Sequence, residues 1–156
     1  METITCAIDD LQLRWLIRSD LEAVADIEEQ CFAYPWIMED FLDELKETNA
    51  IGMVISHRKT NEICGYMLYR LGEANISLMT FGVAPKWQRR GVGARLMDNL
   101  KSKLSLRRRS YIDCVLSEQS LTGHLFLKSQ GFVCVGIARE CFEPDDEDGY
   151  VFSYNL

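Results

Sequence analysis

The sequence predicts an α/β fold of the α+β kind, a mixed central sheet of about seven strands with helices on both faces, in the order β-α-α-β-β-β-α-β-α-β-β. Three observations predict it. The spacing of apolar residues switches back and forth along the chain between alternation and a three-to-four-residue period. Polar turns at Lys59-Thr60-Asn61-Glu62 and Gly72-Glu73-Ala74 separate three consecutive strand-like runs. A glycine-containing loop after the third run opens the longest helical pattern.

Taken in order, residues 1–10 read as a loose lead-in and 11–156 as one domain, an ordinary length for a single core. Leu13 to Arg18 is a strand. Ser19-Asp20-Leu21-Glu22 fits a capping box, in which the Ser hydroxyl and the Glu carboxylate three residues on satisfy free backbone N–H groups. The helix it starts carries Leu21, Val24, Ala25 and Ile27 on one face and ends near Cys31-Phe32, before Pro35. A second helix spans Met38 to Glu47, with Phe41, Leu42 and Leu45 apolar. Ile51 to His57 and Ile63 to Leu71 form a hairpin, and Asn75 to Val83 is a third strand that must stop at Pro85, which has no N–H for the ladder. A long helix covers 91–104, with Val92, Leu96, Met97, Leu100 and Leu104 at core spacing. Tyr111 to Leu116 is a strand and Leu121 to Ser129 a helix, closed by Gly131 as a left-handed C-cap. Phe132 to Arg139 and Tyr150 to Tyr154 are the last strands, joined by an acidic loop from Glu143 to Gly149.

Composition excludes several classes. Hydrophobic residues make up 47% and charged residues 26%, which suits a folded core rather than disorder. The formal charge of −7 makes nucleic acid a poor partner, because phosphates repel an acidic chain at long range. Lys101, Lys103 and Arg107-Arg108-Arg109 read as a solvated helix end, where cations are favoured. The six cysteines form no C-x-x-C pair and read as reduced structural thiols, and no metal is expected. There is no signal-peptide pattern and no apolar run long enough to span a bilayer, so the expectation is a cytoplasmic protein without a membrane partner.

The junction at residues 84–95 is the informative one. The first turn of a helix leaves backbone N–H groups unpaired and carries partial positive charge, a natural anion site. Gly91 and Gly93 remove Cβ atoms where a diphosphate would touch the backbone, and Lys86, Arg89, Arg90 and Arg95 add cations. The segment is neither a dinucleotide fingerprint, since Met97-Asp98 follow, nor a Walker loop, since no Gly-Lys-Ser/Thr is present.

Gln88-x-x-Gly91-x-Gly93-Ala94 resembles the pyrophosphate-binding motif of the GNAT superfamily of N-acetyltransferases, in the position that family gives it, and Gly131-Phe132 resembles the close of the family's fourth helix. The resemblance covers nearly the whole chain. Glu28-x-x-Cys31-Phe32-x-x-Pro35-Trp36, Val83-x-Pro85, and Glu147-Asp148 with Tyr150 resemble the RimI-like branch of N-terminal acetyltransferases. The resemblance implies acetyl-CoA as co-substrate and an amine acceptor, a protein N-terminal α-amine by preference, with a lysine or small amine open. It implies a bulged fourth strand splayed from the fifth, with pantetheine against Phe81, Gly82 and Val83. The pyrophosphate then meets Gln88, Arg89, Arg90, Gly91, Val92, Gly93 and Ala94, and Ser120 stands where relatives carry an Asn that touches the cofactor. Tyr34 and Trp36, with Phe142, border the acceptor cleft.

Two departures matter. The position matching the family's glutamate base is Val115, and that matching its tyrosine acid is Leu127; neither moves a proton. Three readings stay open. An α-amine, whose ordinary pKa is about 7.7–8.0, needs little help near neutral pH. Glu118, Asp113, Glu73 or Tyr150 has taken over. Or the domain is a catalytically weak or inactive acyl-CoA-binding module.

Overall fold

A computed structural model describes residues 10–156; most of the expected lead-in, with Cys6, lies outside them. One seven-stranded sheet runs in the order β1-β2-β3-β4-β5-β7-β6. Its strands are β1 (Leu11–Trp15), β2 (Ala50–His57), β3 (Ile63–Leu71), β4 (Asn75–Val83), β5 (Tyr111–Ser117), β6 (Val133–Phe142) and β7 (Glu147–Asn155). The helices are α1 (Leu21–Cys31), α2 (Met38–Leu45), α3 (Val92–Lys101) and α4 (Leu121–Ser129). All pairs are antiparallel except β4 with β5.

The sheet separates two cores. Leu21, Val24 and Ile27 of α1 and Phe41 of α2 pack with Val54, Tyr66 and Leu68 on one face. Val92, Leu96, Met97 and Leu100 of α3 and Leu127 of α4 pack with Ile55, Met67, Tyr69, Ile76 and Leu78 on the other. Strand side chains alternate between the two sets, as a sheet covered on both faces requires.

Two expected starts are corrected. β1 begins at Leu11 and stops at Trp15, because Arg18–Asp20 forms a 3-10 turn. The Ser19 capping box does not form, and α1 has no side-chain cap. Instead the buried Asp20 carboxylate accepts the Ile17 N–H at 2.9 Å and the Arg14 guanidinium at 2.7 and 2.9 Å. Burial works to raise the Asp20 pKa, but the Arg14 hydrogen bond, the Ile17 amide and the Arg14 charge bring it below the usual value. A depressed folded pKa stabilises above the unfolded value and is lost as pH falls through the folded one. Asp20→Asn should therefore cost roughly 1–3 kcal/mol at pH 7, and the gap should close below about pH 4; melting temperatures from pH 7 to pH 2 check it.

The expected acidic loop is also shorter. Phe142 pairs with Glu147 and Ala138 with Gly149, so Glu147–Gly149 belong to β7 and only residues 143–146 turn. Three residues of β6, 139–141, bulge against Asp148, whose carboxylate accepts the Glu140 N–H at 2.8 Å. Gly131 closes α4 at φ +91°, as expected. Among the described residues no helix is long and apolar enough to cross a membrane, and no His/Cys/Asp/Glu group is arranged to hold a metal ion.

Candidate active site

The site begins with a break in the sheet. β4 pairs with β5 only over Asn75–Leu78 and Tyr111–Cys114. Beyond that, β5 stays on β7 through Ser117, while β4 stays on β3 through Val83. The β5-facing edge of residues 79–83 is therefore left without a strand partner. The β3–β4 register shifts between Leu68–Thr80 and Tyr69–Leu78, so Met79 is a bulge. A bulge reverses which face the following residues address. Ile76, Leu78 and Phe81 consequently share the α3 core, and Thr80 turns toward α1.

The far end of β4 runs into the glycine loop. Trp87 is buried and locks the loop: its Nε1–H donates to Glu62 at 3.2 Å, and the Arg90 guanidinium lies 4.4 Å from its ring centroid. Gln88 Nε2 donates to Val83 O at 3.0 Å, tying the loop to the strand end. Arg89 (φ +60°) and Gly91 (φ +85°) are both left-handed, the backbone habit that turns successive N–H groups into an anion-binding concavity. Gly91 is the N-cap of α3. Among the described residues, no main-chain or side-chain partner takes the N–H groups of Arg89 to Ala94; the first amide of the helix to find one is Arg95, on Gly91 O at 3.1 Å. Two of the expected cations are engaged elsewhere: Arg95 donates to Leu11 O at 3.1 Å and Lys86 pairs with Glu62 at 2.7 Å. Gly93 has a second reason to be glycine, because a Cβ there would lie 3.0 Å from the Phe126 ring.

Between the splayed strands lies a pocket of about 40 Å³, walled by Met79 and Thr80 of β4, Val115 to Ser117 of β5, Ser120 at the start of α4, and Glu28, Phe32, Tyr34, Trp36 and Phe142. Tyr34, Trp36 and Phe142 also line an open groove of about 790 Å³ beside it, so the two spaces adjoin across these rings. The Tyr34 and Phe142 rings stand 5.7 Å apart, and the Tyr34 hydroxyl donates to Asp145 at 3.1 Å, joining the α1–α2 turn to the β6–β7 turn. The groove is lined by Asp40, Asp43, Glu44, Glu47 and Glu143 against a single cation, Arg70, which is itself paired with Glu44 at 2.7 Å.

Sequence reasoning named Glu28 only within a family motif and gave it no place in the site. It is the one carboxylate on the pocket wall, and it is buried. Its Oε1 accepts the Tyr66 hydroxyl and the Thr80 hydroxyl (2.5 Å), and its Oε2 accepts the Trp36 N–H at 3.0 Å. Burial pushes the carboxyl above the usual carboxylate range, and the Thr80, Trp36 and Tyr66 donors pull it only part of the way back. The signal was present: Glu28 stands four residues after Val24 and seven after Leu21, on the core face of α1, where an unpaired carboxylate is costly.

The residues expected from the sequence fall into three groups. Phe81, Gly82 and Val83 lie on the open β4 edge, Gln88 to Ala94 at the loop and helix start, and Ser120, Tyr34, Trp36, Phe142 and Val115 on the pocket wall. Leu127 does not join them: it is fully buried in the α3–α4 core. Of the replacement proton carriers, none lines the pocket. Asp113 lies at the closed end of the split, where its carboxylate accepts the Asn75 amide at 2.6 Å. Glu73 lies in the turn before β4, separated from the open segment by the paired residues 75–78. Tyr150 packs against His124, 5.4 Å between centroids. Glu118 is exposed beside the start of β7, where the Glu147 carboxylate raises its pKa by hydrogen bond and by charge. Among the described residues the cysteines are free thiols, and burial raises the pKa of Cys31, which donates to Val83 O at 3.5 Å, and of Cys114.

The split sheet thus carries bare helix amides beyond the end of β4 and an aromatic pocket beside its bulge. The model of the acetyltransferase (GNAT) family matches residues 21–132, and the chain belongs to that family, an acetyl-CoA-dependent group of N-acetyltransferases. It is similar to the N-alpha-acetyltransferase RimI of Mycobacterium tuberculosis, 26% identical over 153 residues and 94% of each chain. Its fold is similar to the ribosomal-protein-S18-alanine N-acetyltransferase of Escherichia coli, with a TM-score of 0.78, 20% identity and 94% of each chain covered. It is also similar to NAA60 of Arabidopsis thaliana in complex with acetyl-CoA, with a TM-score of 0.79 and 16% identity over 94% of this chain and 98% of that one.

Proposed function

We propose that residues 11–156 act as one domain that transfers the acetyl group of acetyl-CoA to the α-amine of a protein N-terminus, in the cytoplasm. The observation that carries this reading is the continuous path along β4, from the unpartnered amides of residues 89–94 to a pocket that adjoins an open groove. In this reading the diphosphate is held by the amides of Arg89 to Ala94, with Arg89 and Arg90 beside it. Gln88 fixes the loop. Pantetheine lies in the gap along Phe81, Gly82 and Val83, in place of the missing strand, with Ser120 on the opposite wall. A main-chain N–H on the open β4 edge polarises the thioester carbonyl and holds the developing oxyanion.

The acceptor enters between Tyr34, Trp36 and Phe142. A chain that continues past its first residue needs an outlet, and the groove provides one. Its carboxylates outnumber its one cation, so it suits an N-terminal peptide whose next residues are Lys or Arg. We expect such peptides to turn over roughly tenfold faster than Asp/Glu counterparts, with the advantage shrinking as salt rises; kcat/KM across a peptide series at two ionic strengths reads it. Glu143→Lys should narrow the preference.

The decisive assay is release of CoA thiol with an N-terminal peptide library. Tight CoA binding without turnover of any amine would leave a binding module. Turnover of polyamines or lysine side chains alone would replace the acceptor class, and no thermal shift with CoA or acetyl-CoA would refute the donor site.

A further inference from the structure

We propose that Glu28 is the proton acceptor of the transfer, reached from the acceptor amine through the Thr80 hydroxyl. The inference rests on the acetyltransferase reading above and adds the proton path that Val115 and Leu127 cannot supply. Three geometric facts carry it. Glu28 is the only carboxylate among the residues that wall the pocket, and the other titratable group there, Tyr34, donates its hydroxyl to Asp145. Thr80 walls the same pocket, and its Oγ1 stands 2.5 Å from Glu28 Oε1. The Met79 bulge turns Thr80 to this side; without it the hydroxyl would enter the α3 core.

The step balances without a further reactant. The acceptor ammonium gives one proton to Thr80 Oγ1, whose own proton passes to Glu28 Oε1, leaving a neutral amine and a neutral carboxyl. The amine lone pair attacks the acetyl carbon and the carbonyl π pair moves to oxygen. The adduct collapses, the C–S bond breaks, and the CoA sulfur leaves with that electron pair and takes the remaining surplus proton from the adduct nitrogen. Glu28 then returns its proton to water. One ammonium and one thioester become one amide, one thiol and one proton.

The environment favours this role. Around Glu28 stand the Tyr66 hydroxyl of β3, Thr80 of β4, the Cys31 thiol on its own helix, and, from α2, the Asp40 carboxylate, whose charge adds to the effect of burial in raising the carboxyl's proton affinity. No cation is paired with it among the described residues. A buried carboxyl whose proton affinity is raised has moved in the direction that a proton acceptor needs.

The experiment compares wild type, Glu28→Gln, Thr80→Val and Thr80→Ser from pH 6 to pH 9.5 with a reactive peptide, alongside CoA affinity and melting temperature. Glu28→Gln should lose about 100-fold in kcat/KM at pH 7, and the loss should shrink toward pH 9.5 as the amine sheds its own proton. Thr80→Val should lose about tenfold, Thr80→Ser should stay near wild type, and CoA affinity should be unchanged in all. A deficit constant across pH, joined by weakened CoA binding and a lowered melting temperature, would mean that Glu28 only holds the α1–α2 turn, and would overturn the proposal. So would wild-type activity in Glu28→Gln. If Glu28→Gln does not fold, equal activity of Thr80→Val and Thr80→Ser overturns it. No turnover by wild type with any primary amine would overturn the transferase reading and this proposal together.

Discussion

Gly91→Glu is expected to abolish acetyl-CoA binding while the domain stays folded. Gly91 holds φ +85° at the head of α3, and a Cβ there meets nothing within 4 Å. The substitution therefore creates no clash, and its structural cost is confined to a left-handed backbone, on the order of 1 kcal/mol. Its functional cost is larger. In the proposed donor site the new carboxylate would take the place of the diphosphate at the unpartnered amides of 89–94 and repel the phosphates that would displace it. A loss of about 1000-fold in affinity, roughly 4 kcal/mol, is expected. Gly91→Ala carries the same backbone strain without the charge and should lose about tenfold or less. Calorimetric titration with CoA, read beside the melting temperature, checks both. Equal affinities for wild type and Gly91→Glu would mean that the diphosphate binds elsewhere.

Phe41→Ala is expected to separate the two halves of the site. Phe41 is completely buried, its ring centroid 5.3 Å from Trp36 and 6.2 Å from Tyr66. It joins α2 both to the aromatic wall of the pocket and to the tyrosine that holds Glu28. Truncating a buried phenylalanine costs about 3–5 kcal/mol, the lost transfer energy plus the cavity left behind. The damage should be uneven. α2 and the α1–α2 turn form the wall proposed for the acceptor and pack on one face of the sheet, whereas α3 packs on the other core. The acceptor KM should rise about tenfold or more, while CoA affinity at a temperature where the variant is folded changes little. Steady-state kinetics with peptide varied, beside CoA titration, separates the two, and parallel losses of both would contradict the division.

How much of this was legible in the sequence depended on whether the signal was local. β3, β4 and α4 have the expected bounds, because Thr60-Asn61, Gly72, Pro85 and Gly131 punctuate them. The left-handed turn that opens α3 was readable for the same reason: Gly91 holds φ +85° at its N-cap. β1 shifted because Asp20 reaches back to Ile17 and Arg14, a tertiary grip that ends the strand early. The start of β7 was hidden because Glu147-Asp148-Gly149 reads as solvated turn, and only its partners Ala138 and Phe142 make it a strand. The bulge left a trace in the three-residue step from Leu78 to Phe81, which breaks alternation. Glu28 entered only as part of a family motif and received no role, because its polar partners come from β3, β4 and the turn before α2, and no linear pattern brings them together. The destinations of Arg95 and Lys86 were equally invisible, since a charge beside a glycine loop does not say which way it points.

The short contact between β4 and β5 has a mechanical consequence. Four residues of ladder, Asn75–Leu78 on Tyr111–Cys114, are all that the two arms of the sheet share along this seam. A pantetheine arm seated in the gap would splice the arms and stiffen both. Amide exchange along residues 79–83 and 115–117 should then slow together when the donor binds, far from the phosphates themselves, making the cofactor in effect an eighth strand.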